Sequence, residues 1–178
     1  NAMSMTDSPW VVTLDADMIP MQNFLTEVVP YTFLPVMKKL EDGTWAKRTA
    51  GEMDGSFRIG FIQTPQSFYN PDLFQFNFFS EKRIPNEQDF FFKEVNVGRN
   101  KANAPIYAGS NTLLSRQALN EAGGFATGTV TEDFETGLRI QSKGYTCYAI
   151  DKILAHGLAA TDVGSLVRQR IRWGRGCI

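Results

Sequence analysis

Cysteine is nearly absent from this chain: Cys147 and Cys177 are the only two in 178 residues. No disulfide framework can hold such a fold, and the scarcity points to a reducing compartment. Histidine is scarcer still, with His156 alone, so a zinc site built from spaced Cys and His ligands is excluded. No apolar run reaches the roughly 18 residues a membrane-crossing helix needs. Neither sign of charge is in surplus, since 18 Lys+Arg against 19 Asp+Glu leave a formal net charge of −1. A dedicated nucleic-acid binder requires a basic excess to meet phosphates, so that partner class is set aside. Internal repeats and low-complexity tracts are also missing. What is left, 43% hydrophobic and 21% charged residues, suits a single globular domain, which at this length buries roughly 70% of its unfolded surface.

Asn1-Ala2-Met3 looks like the scar of tag removal and is kept out of fold reasoning, leaving residues 4–178 as one unit. Trp10-Val11-Val12-Thr13-Leu14 is apolar and β-branched, which predicts a strand buried on both faces. It runs into Asp15-Ala16-Asp17, after which Pro20 is placed to open a helix carrying Phe24, Leu25 and Val28. Residues 41–58 are polar and contain glycine, a hairpin or loop. Ile59 to Thr64 forms the next strand, closed by Pro65.

Between Phe68 and Phe92 stand nine aromatics: Phe68, Tyr69, Phe74, Phe76, Phe78, Phe79, Phe90, Phe91 and Phe92. They predict either a helix and turn packed on the core or a surface that meets a membrane or second domain. Residues 93–104 read as a loop, and Ile106-Tyr107-Ala108 as a short strand ending at Gly109-Ser110-Asn111. Ser115 caps a helix with Ala118, Leu119 and Ala122 on one face, stopped by Gly123-Gly124. A further helix begins at Thr131-Glu132-Asp133, Tyr145 to Ile150 forms a strand, and an amphipathic basic segment runs from Leu166 onward. Strands alternating with helices define an α/β fold.

Three constellations could carry chemistry. Asp15 and Asp17 sit at a strand's carboxyl end, where open α/β sheets bind ligands, and two carboxylates there can hold a hard divalent cation against diphosphate oxygens. A solvated acidic turn beside a helix N-terminus accounts for the pair equally well. Phosphatases of the haloacid dehalogenase type also use Asp-x-Asp, but follow it with a Gly-Thr/Val turn where this chain has Met18-Ile19-Pro20. In Thr131-Glu132-Asp133, acidic residues suit a first helical turn for capping alone, while Asp133 is also a candidate general base. Gln169-Arg170-Ile171-Arg172-Trp173 offers an amide and two guanidinium forks for pyrophosphate, and an indole face for a sugar ring. The same stretch reads as a basic helix on a membrane or partner, and Arg168 with Arg172 has the Arg-x-x-x-Arg spacing of cyclic-dinucleotide-binding PilZ domains. His156 is expected in a packed or solvated role rather than a catalytic one.

Taken in order, Leu-Asp-Ala-Asp (14–17), Gln-Thr-Pro-Gln-Ser-Phe (63–68), Tyr-Ala-Gly-Ser (107–110), Thr-Glu-Asp (131–133) and Gln-Arg-Ile-Arg-Trp (169–173) resemble the catalytic domain of processive family 2 glycosyltransferases of the bacterial cellulose synthase kind. Gly124-Phe125-Ala126 and Gly157-Leu158-Ala159 extend the likeness, which runs from about Trp10 onward. The resemblance implies a partial GT-A fold, a Rossmann-like mixed sheet with flanking helices, forming the C-terminal half of the glycosyltransferase domain and ending in a basic interfacial helix. It implies that Asp15 and Asp17 bind Mg²⁺ or Mn²⁺ and UDP, and that Asp133 is the catalytic base, with Thr131 and Glu132 in support. Gln169, Arg170 and Arg172 would grip the donor diphosphate, while Trp173, Tyr107, Gly109 and Ser110 would meet the acceptor.

The implied reaction is inverting transfer of glucose from UDP-glucose to a growing β-1,4-glucan. Alternatives are another β-glycan synthase (β-1,3-glucan, chitin or hyaluronan type) or a non-catalytic nucleotide-binding or interaction module. The resemblance also implies a parent protein in the membrane, with this domain at the cytoplasmic face of the bacterial inner membrane, and a soluble fragment that is inactive alone. Its partners would be a UDP-sugar donor and a glycan acceptor. The exposed edge of the strand at 10–14 predicts self-association, and the four arginines of 168–175 are expected to lack fixed structure.

Overall fold

The structure is a computed structural model that describes residues 2–79 and 83–176. In chain order these form β1 (Trp10–Thr13), β2 (Ile19–Pro20), α1 (Phe24–Val28), β3 (Met37–Lys39), β4 (Trp45–Lys47), β5 (Ile59–Gln63), β6 (Ser67–Phe68), α2 (Leu73–Asn77), β7 (Thr112–Ser115), α3 (Arg116–Glu121), α4 (Glu132–Ser142), β8 (Thr146–Ala149), β9 (Ala155–Gly157) and α5 (Val163–Gly176). Short 3₁₀ turns and one π-helical run, Phe90–Asn96, fill the intervals.

β5 and β7 are buried at every residue and occupy the middle of a mixed four-stranded sheet of order β1-β7-β5-β8. β1 and β5 both run antiparallel to β7, while β8 runs parallel to β5. β1, β5 and β8 therefore share one direction, and their carboxyl ends meet the start of β7. Apolar side chains leave the sheet on both faces. Phe61 and Leu114 join Ala118 and Leu119 of α3, Ile140 of α4, and Tyr145 and Cys147. Ile59, Ile62 and Leu113 join Phe24 and Val28 of α1 with Ile150 and Leu154. Ile59 and Phe61, two residues apart, reach opposite cores because the β5–β8 register shifts between Ile59 and Ile62, as a bulge does. A second sheet, β2-β9-β6, and the β3-β4 hairpin lie outside this sandwich.

The two edges of the main sheet differ. Beyond β8, Asn100 and Asn103 stand in for a missing strand: Asn100 Nδ2 donates to the Ala149 carbonyl and its Oδ1 accepts the Ala149 N–H, both at 2.8 Å. Asn103 does the same for Tyr145 O at 2.9 Å and Cys147 N at 2.8 Å. Among the described residues no strand lies beyond β1.

Several expectations need correcting. β1 is only half-buried along its length, because it is an end strand rather than a strand covered on both faces. Pro20 lies in β2, paired with Ala155, and the helix starts later, at Phe24. Residues 90–102 are helical turns rather than a loop, with Lys93 pairing with Asp89. Ile106 to Ala108 forms no strand; its backbone is bonded by side chains instead, Asn96 Oδ1 accepting from Ile106 N and Gln63 Oε1 from Ala108 N. Most of the 68–92 aromatics are not packed on the core: Tyr69, Phe74, Phe76, Phe78 and Phe90 are exposed and Phe79 is 90% exposed, while Phe92 is buried.

The expectation that Arg168, Arg170, Arg172 and Arg175 lack fixed structure is also corrected, since all four lie on α5. That helix has no buried residue and is fastened by a few polar contacts. The remaining elements form much as their patterns imply. Ser115 caps α3 by accepting from Ala118 N, and Gly123 and Gly124 end it with positive φ. Cys147 is fully buried with its thiol pushed up to about 12 by burial, which leaves it inert, and Cys177 lies outside the described residues. No helix among the described residues is long and apolar enough to cross a membrane.

Candidate active site

The carboxyl end of β1 delivers Asp15 and Asp17 into a tight turn, in which Met18 N–H donates to the Asp15 carbonyl at 3.0 Å. Side chains and backbone of neighbouring segments fasten this turn. Asp15 N–H donates to Ser110 Oγ at 2.8 Å, and Leu158 N–H, just past β9, donates to Asp17 Oδ2 at 3.4 Å. Buried Met18 anchors the turn from below, its sulfur accepting from Asn111 Nδ2 at 3.7 Å. Both residues keep an exposed surface, although the Asp15 carboxyl itself is partly enclosed.

The wall behind this turn is the segment 107–111, held by Gln63 at the end of β5. The Gln63 side chain is buried and satisfied at both ends. Its Oε1 accepts from Ala108 N at 2.8 Å and Thr112 Oγ1 at 2.7 Å, and its Nε2 donates to Thr64 O and Ser110 O at 2.8 Å each. Thr64 N–H and Oγ1 both donate to the Asn111 carbonyl. Asn111 adopts φ +55 and donates to Pro65 O at 3.1 Å. Tyr107 is buried, its hydroxyl 3.2 Å from Thr13 Oγ1 and 3.3 Å from Gly109 O, and burial pushes its pKa up to about 12. Ser110 is fully buried as well. The Gln-Thr-Pro-Gln run contributes to the glucan-synthase likeness, but the likeness assigns Gln63 no structural role. Its signal was an amide side chain inside an otherwise apolar strand, which a core admits only when hydrogen-bonded.

Asp133 enters from the first turn of α4 and packs on Gly109. That glycine has φ +79, and a Cβ added to it would lie 3.0 Å from Asp133 Oδ2. A side chain here would be strained by the backbone and would also crowd the carboxylate. Asp133 Oδ1 accepts from Phe134 N at 2.8 Å. Burial first, and then the neighbouring Glu132 charge, raise the Asp133 carboxyl above its ordinary range, partly opposed by its bond to Phe134 N–H and by the Arg172 guanidinium. The Asp15 carboxyl is raised too, by burial, then by the charges of Asp17 and Asp133, against the pull of Arg172. The three aspartates and Arg172 thus share one electrostatic site.

α5 closes the opposite side. Thr131, the residue preceding α4, makes no side-chain cap; its Oγ1 donates instead to the Gly176 carbonyl at 2.6 Å. Gly176 is closely apposed, for a Cβ there would lie 2.3 Å from Thr131 Cγ2. Gly176 and Arg172, four residues apart, therefore share the helix face toward the carboxylates. Arg170 points elsewhere: it pairs with Glu87, and its guanidinium carbon lies 4.3 Å from the Trp173 ring centre. Residues two apart on a helix do not share a face, so Arg170 and Arg172 are not brought together. Gln169 lines a pocket with Glu87, Gln88 and Leu158 that none of Asp15, Asp17, Asp133 and Arg172 lines. His156 sits half-buried on β9, its ring 5.6 Å from that of Tyr69.

Asp15 and Asp17, two residues apart in one turn at a strand end, are oxygen donors of the kind a hard divalent cation takes. Among the described residues no group of three or more His, Cys, Asp or Glu side chains is spaced to hold a metal. The chain thus offers such an ion two carboxylates at this turn, and oxygen ligands from elsewhere would complete its shell.

The chain is similar to putative cellulose synthase 2 of Komagataeibacter xylinus, at 34% identity over 178 residues, covering 100% of this chain and 10% of that protein. It is 35% identical over 177 residues to the cellulose synthase 1 catalytic subunit (UDP-forming) of the same organism, covering 99% of this chain and 21% of that one. A cellulose synthase catalytic subunit (UDP-forming) of Xanthomonas axonopodis pv. citri is 33% identical over 175 residues, or 98% of this chain and 21% of that protein. The chain spans only about a tenth to a fifth of the length of these relatives. The model of the glycosyl transferase family group 2 matches residues 10–178, which takes in the Asp15–Asp17 turn, Asp133 and α5. The chain belongs to that family.

Proposed function

We propose that this chain carries the metal-binding, base-bearing half of a GT-A glycosyltransferase domain, residues 4–178, that transfers glucose from UDP-glucose to a growing β-1,4-glucan with inversion. The observation that carries the reading is that the Asp15 amide bonds Ser110 while Asp133 packs on the adjoining Gly109, which brings these carboxylates to the carboxyl ends of the sheet, where the Arg172 charge acts on both. The family membership and the UDP-forming relatives support it.

Asp15 and Asp17 would hold Mg²⁺ or Mn²⁺, which when bound offsets charge on the donor diphosphate. Arg172 faces the same oxygens as a guanidinium fork, Gln169 lines the separate pocket beside Glu87, and Arg170 acts behind Trp173 rather than on the diphosphate. Asp133 accepts the proton of the attacking sugar hydroxyl as its oxygen bonds to the anomeric carbon and the bond to the diphosphate breaks on the opposite side. A carboxyl raised by burial is suited to that task, since a base works best with its pKa moved toward the working pH. Glu132, exposed beside it, adds negative charge, and Thr131 ties α5 to the base. Tyr107 and Ser110 are buried, so they serve the acceptor end by shaping it, and Gly109 by leaving room for Asp133 and a sugar ring.

The whole protein is read as membrane-borne, with this domain at the cytoplasmic face and α5 at the interface. Alone, the chain is expected to be inactive and to associate through the open edge of β1. Calorimetric titration of UDP with Mn²⁺ tests the donor site. Saturable, metal-dependent binding that Asp17→Ala abolishes is the expected result. Binding that persists unchanged in Asp17→Ala would sink the metal assignment.

A further inference from the structure

Trp173 is half-buried on a helix that has no buried residue, so something other than a core must fix its ring. The structure offers a chain of contacts that does so. Asp72 is buried and forms a reciprocal cap on α2: its Oδ1 accepts from Phe74 N and Gln75 N, while Gln75 Oε1 accepts from Asp72 N. The other carboxylate oxygen of Asp72 accepts from Glu87 N at 2.8 Å, and Gln75 Nε2 donates to Ile84 O at 2.7 Å. Glu87 is therefore mounted on a hydrogen-bonded backbone, with its side chain 26% exposed. Its carboxylate pairs with Arg170, and the Arg170 guanidinium lies over the Trp173 ring, 4.3 Å from its centre.

We infer that Glu87 is a positioning residue for Trp173, acting through Arg170: it holds the guanidinium against one face of the indole so that the opposite face is presented for a sugar ring. The inference rests on the reading of Trp173 as the acceptor platform and deepens it. The physical logic is that a guanidinium can satisfy a carboxylate through its N–H edge and an aromatic ring through its flat face at the same time. A carboxylate fixed at the edge thus sets the plane of the stack. Helix phase turns Arg170 away from Arg172, and this stack is what Arg170 meets on its own side of α5.

The test uses the full chain with Trp10→Phe and Trp45→Phe, leaving Trp173 as the only indole, and measures its quenching by acrylamide. Glu87→Gln and Arg170→Gln are each expected to raise quenching roughly twofold, the scale of losing an exposed cation–π contact. Combining them should raise it no further, because both changes break one path. Wild-type quenching in Glu87→Gln, or effects of the two changes that add, would overturn the proposal. If Glu87→Gln fails to fold, Arg170→Lys decides: it keeps the charge but loses the flat face, so raised quenching supports the stack and unchanged quenching overturns it. Titrating a β-1,4-linked glucose pentamer into the parent background reports separately on the acceptor reading. No change in Trp173 emission would sink that reading, while quenching still decides the role of Glu87.

Discussion

The two segments that flank the carboxylates, 107–111 and α5, are walls built on opposite principles. The 107–111 wall is part of the core: Tyr107, Ser110 and Asn111 are buried, and one buried glutamine bonds four groups of the surrounding chain. The α5 wall buries no residue, and among the described residues its polar ties to the rest of the chain include Glu87 to Arg170 and Thr131 to Gly176. The first wall carries what must not move, the perch of Asp133 on Gly109 and the bond from the Asp15 amide to Ser110. The second carries Arg172 and Trp173, the groups proposed to meet diphosphate and sugar. Breaking contacts on the first wall should cost global stability; breaking them on the second should change mainly local motion.

The largest effect is expected at Gln63. Gln63→Leu strands the Ala108 N–H and the Thr64 carbonyl in the core, while the Thr112 hydroxyl still donates to the Ser110 carbonyl at 2.8 Å, and urea denaturation should show a loss of about 3 kcal/mol. A loss under about 1 kcal/mol would mean that the wall is not held this way. Next comes Gly109→Ala, which combines a positive φ with crowding of Asp133, at about 1–3 kcal/mol. Adding Asp133→Ala should restore the part due to crowding and leave the backbone part. If it restores nothing, the carboxylate does not rest on Gly109.

A smaller effect is expected from charge. The Asp15 and Asp133 carboxyls are raised in the folded protein, so folding favours their protonated forms. Their contribution to stability is fully present below the ordinary carboxylate range and is lost as pH rises through the raised values. Asp15→Asn should therefore raise the melting temperature of the metal-free protein at neutral pH, with the gain shrinking as the pH falls through the carboxylate range. A gain that does not vary with pH would rule out titration as its cause. The smallest global effect belongs to the second wall: Thr131→Val removes one hydrogen bond from a buried residue and should lower unfolding free energy by no more than about 1 kcal/mol. Hydrogen exchange at the α5 amides should nonetheless quicken. If α5 exchange is unchanged, the Thr131 contact does not hold the helix.

Much of the fold was legible because its signals are local. A β-branched run before Asp15, Ser115 with two glycines after its helix, and acidic residues opening α4 are readable over a few positions. The failures are where backbone groups are satisfied at a distance. Ile106 to Ala108 looks like a strand by composition, but Asn96 and Gln63 take up its hydrogen bonds instead. Residues 99–103 look like a loop, but Asn100 and Asn103 close the edge of β8. Proline at position 20 fits a helix entry equally well as it fits a short strand pairing with Ala155. The aromatics of 68–92 left two readings open, since composition counts apolar residues without saying which of them find a core.

The sequence alone determined the order of the chemical groups: two aspartates after an apolar run, a third at a helix start, and a basic stretch with a tryptophan. It also determined that no disulfide framework or Cys/His zinc site takes part. Only the tertiary structure decided which of those groups face one another. Asp15 and Asp133 are far apart in the chain and meet because β1 and β7 pair, bringing Ser110 to the Asp15 amide and Gly109 beneath Asp133. Arg170 and Arg172 are near neighbours in the chain and part company because a helix turns successive residues through about 100°. Chain order sets which groups exist and how far apart they lie along the backbone, while strand pairing and helix phase set which of them share a space.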